Sequence, residues 1–563
     1  MASDLEIARA ATLRPIGDVA SDMGIPAEFL EPYGKNVMKV GLEAIEAMSD
    51  RHKAKYVVVS AITPTPLGEG KTTTSVGLAQ GMAKIGKQAI LTLRQPSMGP
   101  TFGIKGGAAG GGMSQVVPME TLNLHLTGDF HAVTSAHNLL AALLDNHLHH
   151  GNELDIDVRA ITWPRVLDVN DRALRSIVVG LGARADGVTR QTGFDITAAS
   201  EVMALLSLSN GVEDMRERLG RIVIGFNRAG QPVTAEQLQG AGSMAVILRE
   251  ALKPNLLQTL EGTPALIHAG PFGNIATGNS SVVADLVGLR SGDYVITEAG
   301  FGADMGAERF FNIKCRASGQ APDAAVIVVT TRALKAHSGK FKIVAGKPLP
   351  DELLAENVED VEAGAPNLIK QIENIRLHGV SPVVAINSFP TDHPSEHEAI
   401  RRIAEAAGAR VAVATHFGDG GDGAIELAEA VRDACEEPST FTPLYDLEMS
   451  LHDKIETVAR RVYGADGIDP SPEAAKQLAA YTEAGFGNLP VCIAKTHLSL
   501  SSDASLLGAP TGWRMPIREV RVSAGAGFVY PIAGTMRTMP GLSRNPAAHK
   551  IDLDDDGEIV NLS

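Results

Sequence analysis

One twelve-residue stretch, Thr63-Pro64-Thr65-Pro66-Leu67-Gly68-Glu69-Gly70-Lys71-Thr72-Thr73-Thr74, constrains this chain more than any other. Before it runs Tyr56-Val57-Val58-Val59-Ser60-Ala61, a β-branched, apolar segment that reads as a buried strand. After it, Ser75 to Ile85 repeats apolar residues at helical spacing. Strand, glycine-rich turn, Lys-Thr and helix form an arrangement that cradles a nucleotide triphosphate, because turn and helix-start N–H groups point at the phosphates. Lys71 can reach the β/γ oxygens, and the Thr72 hydroxyl can ligate Mg²⁺. The candidate ATP-binding loop is Thr65, Pro66, Leu67, Gly68, Glu69, Gly70, Lys71, Thr72 and Thr73. It meets G-x-x-x-x-G-K-[ST] except at the first glycine, where Thr65 stands. A turn that only caps a core helix is the alternative, and the elements on both sides favour the nucleotide.

Such a loop needs a folded body around it. A length of 563 residues allows roughly three or four ordinary domains. With 44% hydrophobic and 21% charged residues, the composition is that of a soluble globular protein. A net charge of −16 argues against nucleic acid or an anionic membrane as partner. Three scattered cysteines, Cys315, Cys435 and Cys492, indicate neither a disulfide framework nor a zinc site. No apolar run approaches the roughly 18 residues of a membrane span, and Met1 to Arg14 lacks a secretory core. A cytoplasmic setting is expected.

Further along, residues 1–50 read as helical and polar-faced, broken at Pro26 and Pro32. Gln88 to Leu93 is a second buried strand and ends on Arg94-Gln95-Pro96-Ser97, which places Arg94 beside the phosphates if both strands share a parallel sheet. Gly103 to Gly112 reads either as a disordered glycine-rich tract or as a loop that lets backbone approach a ligand closely. His125, Asp129, His131, His137 and His147 crowd the next segment without metal-ligand spacing; the histidines read as members of a structural polar network, and Asp129 or His131 is the candidate for ligand contact. From Asp155 to Thr331, short strands (Arg221–Phe226, Pro264–His268, Tyr294–Thr297, Ala325–Thr330) alternate with helices and predict a largely parallel sheet. The tips beginning at His268, Glu298 and Thr331 are polar and glycine-bearing, and are expected to converge on one sheet edge. The acidic stretch Gly339 to Gly364 reads as a boundary. Beyond it, strands Pro382–Ile386 and Val411–Ala414 end on loops carrying Phe389 and Phe417, which read either as two faces of a slot for a flat ring or as two loop-anchoring core aromatics. The expected fold class is α/β: a large P-loop nucleotide-binding domain (1–345) with a mostly parallel sheet, and two smaller α/β domains (346–443 and 444–563).

Thr65–Thr74, Arg94-Gln95-Pro96-Ser97, Gly103–Gly112, Asn123–His131, Arg332-Ala333-Leu334-Lys335 and Ser523-Ala524-Gly525-Ala526-Gly527-Phe528 together resemble the formate–tetrahydrofolate ligases over nearly the whole chain. The resemblance implies ATP-dependent ligation of formate to tetrahydrofolate through formyl phosphate. It also implies a homotetramer activated by a monovalent cation, K⁺ or NH₄⁺, with the active site in a cleft between domains. Lys71, Arg94 and Asp129 would be catalytic, Phe389 and Phe417 would bind the folate, and Thr72 would hold Mg²⁺ with ATP. The sequence departs from the family pattern at Met113, Gly273, Thr277 and Phe417. A partition-type ATPase normally ends its second strand on Asp, where this chain has Arg94. A ligase of the dethiobiotin synthetase kind would leave more than half the chain without a purpose.

Overall fold

Seven strands are apolar on both faces, and the fold buries them side by side. In the computed structural model, which describes residues 2–103, 109–343 and 348–562, they are β1 (Lys55–Ala61), β2 (Ala89–Leu93), β3 (Pro264–Ile267), β4 (Tyr294–Glu298), β5 (Ala324–Val329), β6 (Ser381–Asn387) and β7 (Arg410–Ala414). Their order across the sheet is β3-β2-β4-β1-β5-β6-β7, and every neighbouring pair is parallel. Alternation along β1 sends Tyr56 and Val58 to one core, and Val57, Val59 and Ala61 to the other. Helix α1 (Lys71–Lys84) covers the second face with Val76, Leu78, Ala79 and Met82. Helix α2 (Val358–Arg376) covers the first with Val361, Leu368, Ile372 and Ile375. Each Val, Leu, Ile or Met side chain among them contributes about 1.5–3 kcal/mol on leaving water.

Three expectations change in detail. The boundary expected between residues 345 and 346 does not interrupt the sheet, because β6 and β7 continue it directly beside β5. The acidic stretch read as a boundary already contains the start of α2, where the Asn357 side chain accepts from the Asp360 amide. The segment expected as strand Arg221–Phe226 does not join the parallel sheet either. It forms Val223–Asn227 in a separate antiparallel sheet between Pro232–Thr234 and Ile156–Ile161. Its connection to Pro232 is a tight turn closed by Gly230 in the left-handed region, too short for a parallel crossover.

The N-terminal 50 residues give helices Asp4–Ala10, Ile16–Asp22 and Glu43–Ala47, but also two antiparallel edge strands, Leu30–Pro32 and Met38–Val40. Pro32 sits in the outermost strand, where a missing N–H is tolerated. From Leu444 onward, helices Leu451–Arg461 and Pro472–Tyr481 and the hairpin Glu519–Ser523/Phe528–Ile532 build a smaller core around Ile455, Val458 and Ile493. No described helix is long and apolar enough to cross a membrane.

Candidate active site

Parallel strands deliver all their C-terminal ends to one edge, and β1 lies centrally among them. The loop after β1 turns on Gly68 and Gly70, at φ +76° and +77°, and Gly70 is the N-cap residue of α1. A side chain at Gly70 would be strained and would also stand 2.6 Å from Asn387 Nδ2. That amide, at the end of β6, donates to the Glu69 carbonyl at 3.0 Å and clasps the loop from the far side of β5. Thr65, where the motif calls for glycine, has no positive φ. Its amide and hydroxyl instead donate to Glu69 Oε1 at 2.7 and 3.1 Å. Lys71 Nζ lies 3.9 Å from Glu69 Oε2, at the helix start where the backbone field favours anions.

Glu298, at the end of β4, joins this loop to Arg94. Its Oε2 accepts from the Thr72 hydroxyl at 2.7 Å, and its Oε1 lies 3.5 Å from Arg94 Nε. The carboxylate is 4% exposed and stands between β1 and β2 by strand order. Arg94 Nη1 also donates to the Pro271 carbonyl at 3.4 Å. Lys71, Thr72 and Arg94 are thus assembled at one place, as their strand-end positions led us to expect. Sequence reasoning singled out the Glu298 tip but gave Glu298 itself no role. An acid ending the strand between two site-bearing strands was the available signal.

The tips of β5, β6 and β7 form the other side. The Arg332 guanidinium lies 3.5 Å from the centroid of the Phe389 ring and covers one of its faces. Burial lowers the Arg332 pKa, opposed by the charges of Asp392 and Glu69. Phe417 follows β7 with its ring 44% exposed, and its carbonyl accepts from the Met113 amide at 2.8 Å. Gly112, at φ +56°, leaves no room for a side chain against Phe417. The described end of the glycine-rich loop therefore approaches the Phe417 loop closely; residues 104–108, the middle of that stretch, lie outside the described residues. His416, beside Phe417, packs under α1 with Nε2 3.2 Å from Thr74 Oγ1, and burial pushes its pKa down to about 4. Gly77 is what admits it, since a Cβ there would meet the imidazole at 2.6–2.8 Å. Lys335 of the same sequence motif as Arg332 is buried in an ion pair with Glu396 and is part of the packing.

Asp129, expected at the chemistry, is taken up in a buried ion pair. It is buried against Lys39 (2.8 Å) and accepts from Asn255 Nδ2 (2.7 Å) and Thr127 Oγ1 (3.2 Å). Asp129→Ala would strand the Lys39 ammonium in the core, at a cost of about 3–5 kcal/mol. We expect a clear fall in melting temperature by thermal shift; an unchanged value would show that Lys39 finds water. Among the described residues the neighbouring histidines form no cluster with metal-ligand spacing. His137 is fully buried between Ser200 Oγ (2.8 Å) and the Pro164 carbonyl (3.0 Å), and burial pushes it down to about 3. The departure at Gly273 has a local reason: a Cβ there would stand 2.8 Å from the Phe301 ring.

The formate–tetrahydrofolate ligase family model matches residues 2–563. The formate–tetrahydrofolate ligase of Saccharopolyspora erythraea is 69% identical over 561 residues, covering 100% of this chain and 99% of that one. Formate–tetrahydrofolate ligase 3 of Rubrobacter xylanophilus is 67% identical, with both chains fully covered. The formate–tetrahydrofolate ligase of Cutibacterium acnes is 66% identical over the full length of both. A match of this extent, on a chain whose strand ends gather Lys71, Thr72, Arg94 and Glu298, means that the protein is a ligase and belongs to the formate–tetrahydrofolate ligase family.

Proposed function

We propose that the enzyme ligates formate to tetrahydrofolate at the expense of ATP, through formyl phosphate, at the edge formed by the ends of β1, β2 and β4. The observation that carries this reading is Glu298, which ties the Thr72 hydroxyl and Arg94 to one buried carboxylate. Formate is a poor acyl donor because hydroxide leaves badly. Its oxygen therefore attacks the γ-phosphorus of ATP, the bond from that phosphorus to the β–γ bridging oxygen breaks, and ADP leaves. Lys71 and the loop amides hold the β/γ oxygens in line and offset the developing charge. Thr72 Oγ1 and Glu298, an all-oxygen pair, fit Mg²⁺, which when bound would supply further charge neutralisation. Arg94, a planar fork, grips the anionic acyl phosphate. N10 of tetrahydrofolate then attacks the formyl carbon, the C–O bond to phosphate breaks, and N10 loses its proton.

Phe389 and Phe417 hold the pterin ring, Phe389 backed by Arg332 and Phe417 free to offer a face. Phe417→Ala should raise KM for tetrahydrofolate by about ten- to a hundredfold, by analogy with base stacking worth about 1–3 kcal/mol. KM for ATP should stay near wild type; equal effects on both substrates would remove Phe417 from the folate site. The homotetramer, the activating K⁺ or NH₄⁺ and a cytoplasmic location are carried into this reading from the resemblance. ADP release measured with formate alone, tetrahydrofolate alone and both tests the whole: sustained turnover should need both, and turnover with neither would point to a simple ATPase.

A further inference from the structure

The motif Ser523-Ala524-Gly525-Ala526-Gly527-Phe528 takes no part in the site at the strand ends. It forms the turn of the C-terminal hairpin and borders a cavity of about 530 Å³. That size lies within the range of small-molecule sites. The opposite walls come from residues 161–164, 190–195 and 199–204. The hairpin is docked by Glu201, whose Oε1 accepts from the amides of Gly525 (2.7 Å) and Ala526 (3.3 Å). Gly525 permits this contact, because a Cβ there would stand 2.7 Å from the Arg218 carbonyl.

The lining is unusual for this chain. Only 4% of its residues are Phe, Trp or Tyr, yet the cavity takes six of them: Trp163, Phe194, Phe226, Tyr481, Phe528 and Tyr530. Phe194, Phe226 and Tyr530 are only half-buried. Three arginines, Arg175, Arg190 and Arg521, also line the space. Arg190 is 6% exposed, donates through Nε to Asp145 at 2.8 Å, and keeps Nη2 buried without a hydrogen-bond partner among the described residues. A buried guanidinium donor left unmade is costly. Acids are present too: Asp195 is taken by Thr538, and Glu519 by Arg521. Glu201 has hydrogen bonds to one oxygen only among the described residues, and burial pushes it up to about 8.

We propose that this cavity is a second small-molecule site, for a flat heteroaromatic ring with an amino-bearing edge and an anionic tail. The half-buried aromatic rings would stack the ring, Glu201 would receive its amino edge, and Arg190, Arg175 and Arg521 would hold the tail. Guanine nucleotides and folylglutamates share this chemistry. The site is separate from the strand-end edge but abuts it: Ile275 and Ala276 line the cavity, while Pro271 of the same loop accepts from Arg94. An occupant could therefore be felt at Arg94.

The chain has two tryptophans, Trp163 in the cavity wall and Trp513 elsewhere. In full-length Trp513→Phe enzyme, all tryptophan emission therefore reports the cavity. Titration with GDP should change that emission saturably below 1 mM, or calorimetry with folylglutamate should show a second equivalent bound per chain; which ligand succeeds identifies the source. Added Arg521→Gln should weaken binding at least tenfold while leaving ligation within twofold. Arg175→Gln, on another part of the wall, guards against a local folding defect. No emission change with GDP and a single folylglutamate equivalent, or binding indifferent to both substitutions, would overturn the proposal. Neither result bears on the ligase reaction, which is assayed separately.

Discussion

Lys71→Ala is expected to reduce ligation by at least about 10³-fold, the scale on which phosphoryl transfer depends on its charge-neutralising groups. Lys71 is the cation within the loop itself. Arg94 is engaged with Glu298 and Pro271, and Arg332 with the Phe389 ring. A methyl group leaves the β/γ oxygens facing Glu69, whose carboxylate already sits in the loop mouth. The loss should fall on kcat as well as on ATP affinity, because the charge develops further in the transition state. The fold should survive, since Lys71 opens a helix at the sheet edge and contributes no apolar area to either core. Circular dichroism and a thermal melt beside steady-state assays decide this. Full activity in a folded Lys71→Ala enzyme would end the assignment of the loop.

Arg94→Lys keeps the charge and should still cost about 10²-fold in kcat. A guanidinium presents two parallel N–H groups to a phosphate-bearing acyl group, and an ammonium offers only a point contact. Arg94 Nε lies 3.5 Å from Glu298 Oε1, an ion-pair contact that the unbranched lysine does not reproduce in the same geometry. Misplacement near the reacting atoms is where orientation effects are largest. KM for ATP should change little, because Lys71 and the loop amides still hold the nucleotide. If Arg94 were only a member of an ion pair, the substitution would be nearly silent. A kcat within twofold of wild type would show that.

The parts of this protein legible from sequence are those set by local periodicity. Seven of the eight segments read as strands form the parallel sheet, and their pairing puts the expected tips on one edge. The loop motif placed Lys71 and Thr72, and the pairing rule brought Arg94 to them. What escaped is set by contacts between distant segments. Nothing near Asp129 reveals that Lys39, 90 residues away, neutralises it in the core. Glu298 has an ordinary neighbourhood in sequence and acquires its place only when β4 inserts between β1 and β2. The continuation of the sheet into β6 and β7 was hidden by an acidic stretch that reads as a boundary, because a helix whose solvent face is charged looks the same in one dimension. The antiparallel strand Val223–Asn227 was misjudged for a related reason: strand propensity says nothing about direction, and only the length of the following turn does.

Activation of formate on phosphate has a direct isotopic signature. If the formate oxygen attacks the γ-phosphorus and the formyl carbon is later released to nitrogen, that oxygen leaves with inorganic phosphate. Turnover with [¹⁸O]formate, unlabelled ATP and tetrahydrofolate, followed by mass spectrometry of the phosphate, measures this transfer. One ¹⁸O per phosphate formed is expected, at the enrichment of the formate. Phosphate carrying only solvent and ATP oxygens would contradict the formyl phosphate route, and with it the roles of Lys71, Arg94 and Glu298 in forming and holding that intermediate.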